Sequence, residues 1–352
     1  EYTAYYNFAL HLVNLLLLSL LLRKFNVSLA NTLIIVLIFS LFGRYRMMES
    51  PSVMIAGSGL SLFFILASSL SLIKTLEISN WNSRKYAWFA LSILSYLGLT
   101  FSYEVAFPLI LVIGYIFFSF HFKSVRHKKI SDIKEYLYLL PYFASLFVYY
   151  FFFRRAESMY EGAKIIWGHD ILIRLKSYLA YTFTYPTHLK LNAEGIIFII
   201  LYFIAINLAI KTERPDQPDS RINNDLFNNG NLIIFGVIFY FASVVLFCLN
   251  QWMSATSIMR HHTYLMTAGS SILLVTTLVG LQWLFVEPVR KIYYRLLIYI
   301  MAPFIILFGL NDTLDMYKNE YDRTASIKLL KGSIQSSVKD PERIDAILVK
   351  NF

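Results

Sequence analysis

The sequence predicts an all-α fold, a polytopic membrane bundle of about ten transmembrane helices, and three observations predict it. Apolar residues make up 57% of the 352-residue chain and charged residues only 15%. The apolar residues are gathered into roughly ten stretches of about 16–23 residues, close to the length that crosses a hydrocarbon core. Lys and Arg collect between the runs, whereas the helices of a water-soluble bundle would each carry a charged outer face.

The first run, 5–22, is apolar except for Asn7, His11 and Asn14, which spacings of four and three place on one helix face. A polar stripe in lipid faces protein, water or ligand, and its simplest role is to hydrogen-bond neighbouring helices. Further helices are expected at 27–42, 53–73, 86–102, 105–121, 136–153, 195–210, 232–249, 263–285 and 296–311. The loops after the first, third, fifth, seventh and ninth runs are basic, holding Arg23 and Lys24; Lys74, Arg84 and Lys85; Lys123, Arg126, Lys128 and Lys129; Lys211, Arg214 and Arg221; and Arg290, Lys291 and Arg295. Short loops on the other side hold only Arg44, Arg46 and Arg260, so the positive-inside rule puts residue 1 and the tail outside.

The segment 154–194 is assigned outside despite Arg154, Arg155, Lys164, Arg174, Lys176 and Lys190. Within it Ile165, Ile166, Trp167, Ile171, Leu172, Leu175, Tyr178 and Leu179 recur at helical spacing against His169, Asp170, Arg174 and Lys176. This pattern predicts an amphipathic helix in the membrane interface, either packed on the bundle or covering a lipid entrance. The inner segment 212–231, rich in Asn, Asp and Pro, reads as an irregular connector. The transmembrane domain is thus 1–312, and 313–352 forms a short outer tail anchored by Tyr317, Tyr321, Ile327, Leu329 and Leu330.

Composition excludes several function classes. The single cysteine, Cys248, rules out an internal disulfide framework and a cysteine metal cluster. The net charge of +10 is split among short loops rather than gathered on one soluble face, so it reports topology and contact with membrane lipids, not nucleic acid.

Candidate site residues lie at the outer face. Glu49, in the loop 43–52, and Glu104, in the turn Ser102-Tyr103-Glu104, are carboxylates at the membrane edge, either hydrated and paired with Arg44 or Arg46, or functional. Arg260, His261 and His262 open the ninth run on the same face. Arginine offers a planar fork for phosphate, or anchors the helix at the headgroups. Adjacent histidines point to different sides of a helix, so no metal site is assigned, and a divalent-metal requirement stays open.

These residues also carry a resemblance. Asn7-Phe-Ala-Leu-His11-Leu-Val-Asn14 followed by leucines and Arg23-Lys24, Glu49 with Gly57 and Gly59, Ser102-Tyr103-Glu104 with Pro108, and Arg260-His261-His262-Thr-Tyr264-Leu occur in that order. In kind and order they resemble the motifs of multi-pass glycosyltransferases of the GT-C fold, especially the mannosyltransferase-like branch often joined to tetratricopeptide repeats. Tyr103 stands where that branch usually has lysine, His261 where it has tyrosine, and Gly43-Arg44 where it often has His-Pro. Donor and acceptor preferences therefore do not carry over.

The resemblance implies transfer of a sugar from a polyprenyl-phosphate or polyprenyl-diphosphate carrier to a glycan, lipid or protein acceptor at the outer face; the abundance of Ile, Asn, Lys, Phe and Tyr fits a bacterial source, hence an inner membrane. The resemblance also implies a further helix and acidic outer loop before Glu1. Glu104 and Glu49 would line the acceptor side, Arg260 with His261 and His262 would meet the donor phosphate, and Arg154 and Arg155 would assist. A lipid-linked oligosaccharide flippase, a polysaccharide polymerase or ligase, and a noncatalytic assembly protein are the competing readings.

Overall fold

The computed structural model describes residues 2–42, 53–102, 106–125, 133–155, 170–183, 192–213, 218–249 and 263–311, with 314, 315, 318, 322 and 326 in the tail. Its helices are α1 (Tyr2–Lys24), α2 (Leu29–Phe42), α3 (Val53–Glu77), α4 (Ser83–Ser102), α5 (Ala106–Val125), α6 (Leu140–Arg155), α7 (Asp170–Phe183), α8 (Ala193–Thr212), α9 (Pro218–Leu249), α10 (Thr263–Leu281) and α11 (Glu287–Leu296). A 3-10 segment, Ile133–Leu139, leads into α6, and α11 continues through a π-helical turn, Leu297–Met301, into helical residues 302–311. No strand occurs among the described residues.

All ten apolar runs fall on helices. Five stretches are long and apolar enough to cross a membrane: Tyr5–Lys24, Gly59–Glu77, Ala193–Thr212, Tyr264–Leu284 and Glu287–Asn311. Shorter apolar helices occupy Leu29–Leu41, Phe107–His121, Tyr136–Tyr149 and Gly230–Val245.

The outer surface, unlike that of a water-soluble bundle, is largely apolar. On α8, Ile196, Ile197, Ile200, Leu201, Ile204 and Leu208 are exposed, while Gly195, Tyr202, Ile206 and Ala209 are buried. Ser61, Ser68, Ser69, Ser71, Thr75, Ser92, Ser243, Thr267, Ser271 and Thr276 are buried. Large aliphatic side chains facing outward and small hydroxyl residues set among the buried apolar ones are the pattern of helices packed in lipid, where small residues let backbones approach closely. The α3–α4 pair is joined by reciprocal bonds, Ser68 Oγ to the Ser92 carbonyl at 2.9 Å and Ser92 Oγ to the Ser68 carbonyl at 2.6 Å. Ser92 Oγ also lies 2.6 Å from Tyr142 Oη of α6. Against α9, α10 presents Gly269, where a Cβ would stand 2.6 Å from the Tyr240 backbone nitrogen.

The ends of α1, α3 and α8 meet at one face. Asn26, at φ 60°, closes α1, with its N–H on the Arg23 carbonyl and the Val27 N–H on that of Leu22. This pairing is a Schellman motif, in which asparagine tolerates the left-handed conformation. Arg23 then reaches Glu213 at 2.7 Å, and Glu77 joins Lys24 and Lys74, the latter at 3.1 Å. The basic loops after the first, third and seventh runs therefore share one face.

Two readings of the sequence need correction. The segment 212–231 is not irregular throughout, since α9 starts at Pro218. Proline suits a first helical position, where its missing N–H is not needed, and the apolar run that follows propagates the helix despite the Asn and Asp residues. Arg174 is not on the polar side of the interfacial helix: it is buried with Tyr178, while Leu172 is exposed. The buried stripe of α7 is Ile171, Arg174, Leu175 and Tyr178, at i, i+3, i+4 and i+7. Arg174 Nη1 donates to the Cys248 carbonyl in the last turn of α9 at 3.3 Å, setting a cation at a helix carboxyl end. Ile165, Ile166, Trp167 and His169 lie outside the described residues, as do the tail anchors Tyr317, Tyr321, Ile327, Leu329 and Leu330.

The π-helical turn has a local cause. The Ala302 N–H bonds to the Leu297 carbonyl five residues back, and the next residue in that register, Pro303, has no N–H for the Ile298 carbonyl. Tyr202 of α8 supplies the donor, its hydroxyl lying 2.7 Å from that oxygen. Tyr202→Phe removes the donor and keeps the ring, so the expected loss is about 1–2 kcal/mol. A fall of about 2–4 °C in the melting midpoint per kcal/mol checks it. An unchanged midpoint would mean that the carbonyl finds another donor.

Candidate functional site

The described part of the candidate site is a polar node at the end of the bundle opposite the Arg23–Glu213 pair. Asn14 of α1 donates both amide hydrogens, to the Gly59 carbonyl of α3 at 2.9 Å and to Tyr264 Oη of α10 at 3.1 Å. His11 Nδ1 lies 3.1 Å from the same hydroxyl. The Tyr264 hydroxyl accepts from Asn14 and pairs with His11 Nδ1, so it links both α1 side chains to α10. The ring of Phe39, near the end of α2, packs 5.7 Å from His11 and 5.4 Å from Tyr264. Gly59 packs closely on α1: a Cβ there would stand 2.9 Å from Leu10 Cδ2, so the leucine side chain would have to shift.

The stripe read on α1 thus faces the protein interior. Asn7 and Asn14 are buried and His11 half-buried, whereas Tyr5, Phe8, Leu12, Leu16 and Leu20 are exposed on the opposite side. Asn7 Oδ1 and Asn14 Oδ1 are each sealed from solvent without a hydrogen-bond donor. The Asn14 oxygen is the acceptor that the node offers to a hydroxyl or to water, and the Asn7 oxygen is a second open acceptor on the same face of α1.

The node gathers the ends of helices that flank the predicted site loops. Phe39 lies four residues before the segment 43–52, which carries Glu49, and Gly59 lies seven residues after it. Tyr264 directly follows Thr263, which itself follows Arg260, His261 and His262. A second cluster flanks Glu104. Tyr149 of α6 packs edge-on against Phe101, near the end of α4, and Phe107, at the start of α5, with centroids at 6.4 and 5.5 Å. Glu104 lies in the connection between those two helices, and Arg154 and Arg155 end α6 little more than one turn beyond Tyr149.

The structure therefore brings together His11 and Asn14 with Tyr264 and Gly59, while Asn7 is buried about two turns from Asn14 on the same face of α1. Glu49, Glu104, Arg260, His261 and His262 lie outside the described residues, and of Arg154 and Arg155 only the backbone is described. No group of three or more His, Cys, Asp or Glu side chains that could hold a metal occurs among the described residues. No family model, curated protein or solved structure matches the chain.

Sequence reasoning missed the role of Tyr264, whose signal was present as a hydroxyl-bearing side chain one residue inside an apolar run. It also missed Arg174 as a buried cation on that side of the bundle, because an arginine at helical spacing reads as a solvated face.

Proposed function

We propose that the protein is a membrane glycosyltransferase that moves a sugar from a polyprenyl-phosphate-type carrier to an acceptor at the outer face. The observation that carries this reading is the convergence of α1, α2, α3 and α10 on the His11–Asn14–Tyr264 node. It sets the helix ends before and after the Glu49 segment beside the start of α10, which follows Arg260, His261 and His262. A carboxylate and a phosphate-binding cation are the two groups such a transfer requires. The carboxylate of Glu104 or Glu49 orients or deprotonates the acceptor hydroxyl. The guanidinium of Arg260, next in the chain to His261 and His262 and assisted by Arg154 and Arg155, stabilises charge growing on the departing phosphate. The exposed aliphatic faces suit a donor whose tail stays in the bilayer, and no metal is invoked.

The test is transfer of a labelled sugar from a polyprenyl-phosphate donor by the full chain in membranes. Glu104→Gln and Arg260→Ala are each expected to lower turnover about 100-fold or more at normal expression. Unchanged turnover in both would reject the assignment.

One feature favours a second reading, a transporter of lipid-linked oligosaccharide. The helix Glu287–Asn311 is interrupted by the π-helical turn and Pro303, and interrupted helices recur in transporters. In that case the labelled carrier would change leaflet with its sugar still attached, and no transfer would be seen.

A further inference from the structure

At the basic face the chain passes from α10 to α11 through one 3-10 turn, Gln282–Leu284, followed by Phe285 and Val286. Arg290 folds back over this turn. Its guanidinium carbon stands 4.2 Å above the Trp283 ring, and Nη2 donates to the Phe285 carbonyl at 3.3 Å. Two N–H groups of the stacked pair have no acceptor, Arg290 Nε and Trp283 Nε1. The adjacent acid, Glu287, is 3.1 Å from Lys291. Among the described residues no carboxylate lies within ion-pair distance of Arg290.

A guanidinium stacked on an indole, each with an N–H that is shut from solvent and has no acceptor, and with no carboxylate in ion-pair distance among the described residues, matches an anionic oxygen. Charge-assisted bonds to phosphate are the strongest such pair can make. The surroundings point to the source of that oxygen. Leu284 is 78% and Val286 69% exposed, and Val289, Ile292 and Leu296 continue an exposed apolar surface along α11 beside Lys291 and Arg295. Apolar side chains beside basic ones on a short helix are the surface that meets acyl chains and headgroups together.

We propose that Trp283 and Arg290 form a phosphate site for a membrane phospholipid, selective for anionic headgroups, at the turn between α10 and α11. The phosphate oxygens accept from Arg290 Nε and Trp283 Nε1, the guanidinium sliding across the indole face to admit them. The acyl chains run along Leu284, Val289 and Ile292. This site is independent of sugar transfer and lies at the opposite end of α10 from Tyr264.

The experiment titrates the detergent-solubilised full chain with short-chain phosphatidylglycerol, with short-chain phosphatidylcholine and with inorganic phosphate. Phosphatidylglycerol is expected to bind most tightly. Arg290→Gln is expected to weaken it about tenfold or more and Trp283→Phe, which keeps the stack and removes the N–H, about threefold. Arg295→Gln, a basic residue of the same helix outside the pair, is expected to change it less than about twofold. Equal losses in Arg290→Gln and Arg295→Gln would overturn the site in favour of diffuse surface charge. Inorganic phosphate binding as tightly as the lipid would overturn the lipid assignment. If Arg290→Gln yields no folded protein, Arg290→Lys decides: weakened binding supports the fork geometry, and wild-type affinity rejects it.

Discussion

Replacing Gly269 by valine is expected to abolish the folded protein. A Cβ at this position would stand 2.6 Å from the backbone nitrogen of Tyr240 and 2.8 Å from its Cα. Overpacking costs about 1–3 kcal/mol where side chains can yield. Here the obstacle is the main chain of α9, and only separation of the two helices relieves it. Gly269→Ala already places that Cβ, so it should lower the melting midpoint sharply, while Gly269→Val should remove the monodisperse peak on size-exclusion chromatography. Gly114 supplies the control: a Cβ there meets nothing within 4 Å. Gly114→Ala should therefore be neutral or stabilising by up to about 1 kcal/mol through helix propensity. If Gly269→Ala melts with the wild type, the α9–α10 contact is looser than described.

Asn14→Leu has the second largest expected effect. Asn14 is fully buried and bonds α3 and α10 at once. Interhelical bonds in membranes are typically worth about 0.6–2 kcal/mol each, so removing both costs about 1–4 kcal/mol. The Gly59 carbonyl and the Tyr264 hydroxyl would each lose a donor. The loss should couple to Tyr264→Phe. In a double-mutant cycle read by melting midpoints, the second substitution should cost about 0.5–2 kcal/mol less once the first is present. His11→Leu should follow the same pattern, lowering folded yield more than turnover per folded molecule. Strict additivity of Asn14→Leu and Tyr264→Phe would show that the two side chains do not share a bond. Loss of turnover at full yield in His11→Leu would move His11 into the chemistry.

Much of this architecture was legible in the amino-acid sequence because one variable, unbroken apolar length, decides it. All ten runs became helices, and the spacing of Asn7, His11 and Asn14 located the inward face of α1. Periodicity within one segment is blind to partners, however. Tyr264 lies 250 residues from Asn14, and nothing local marks its hydroxyl as an acceptor. Arg174 shows the opposite failure, where local reasoning gave a definite answer and tertiary packing reversed it. Its i, i+3, i+4, i+7 companions were visible, but a charge was assumed to face away from them. The Trp283–Arg290 pair was hidden for a third reason: the two residues meet across a turn, outside any helical repeat. Pro303 was visible within its run, whereas the hydroxyl that makes it tolerable belongs to another helix.

The wide separation of His11 and Tyr264, 253 residues along the chain, also bears on the order in which the molecule is assembled during synthesis. The α3–α4 and α9–α10 contacts join consecutive helices, so each can form soon after its second member leaves the ribosome. The node cannot. Its first strand of contacts, from Asn14 to Gly59, is available early, but His11 and Asn14 must wait for α10 before Tyr264 reaches them. The polar face of α1 is therefore left without its Tyr264 partner until α10 has been made, so closing it follows synthesis of the helices in between.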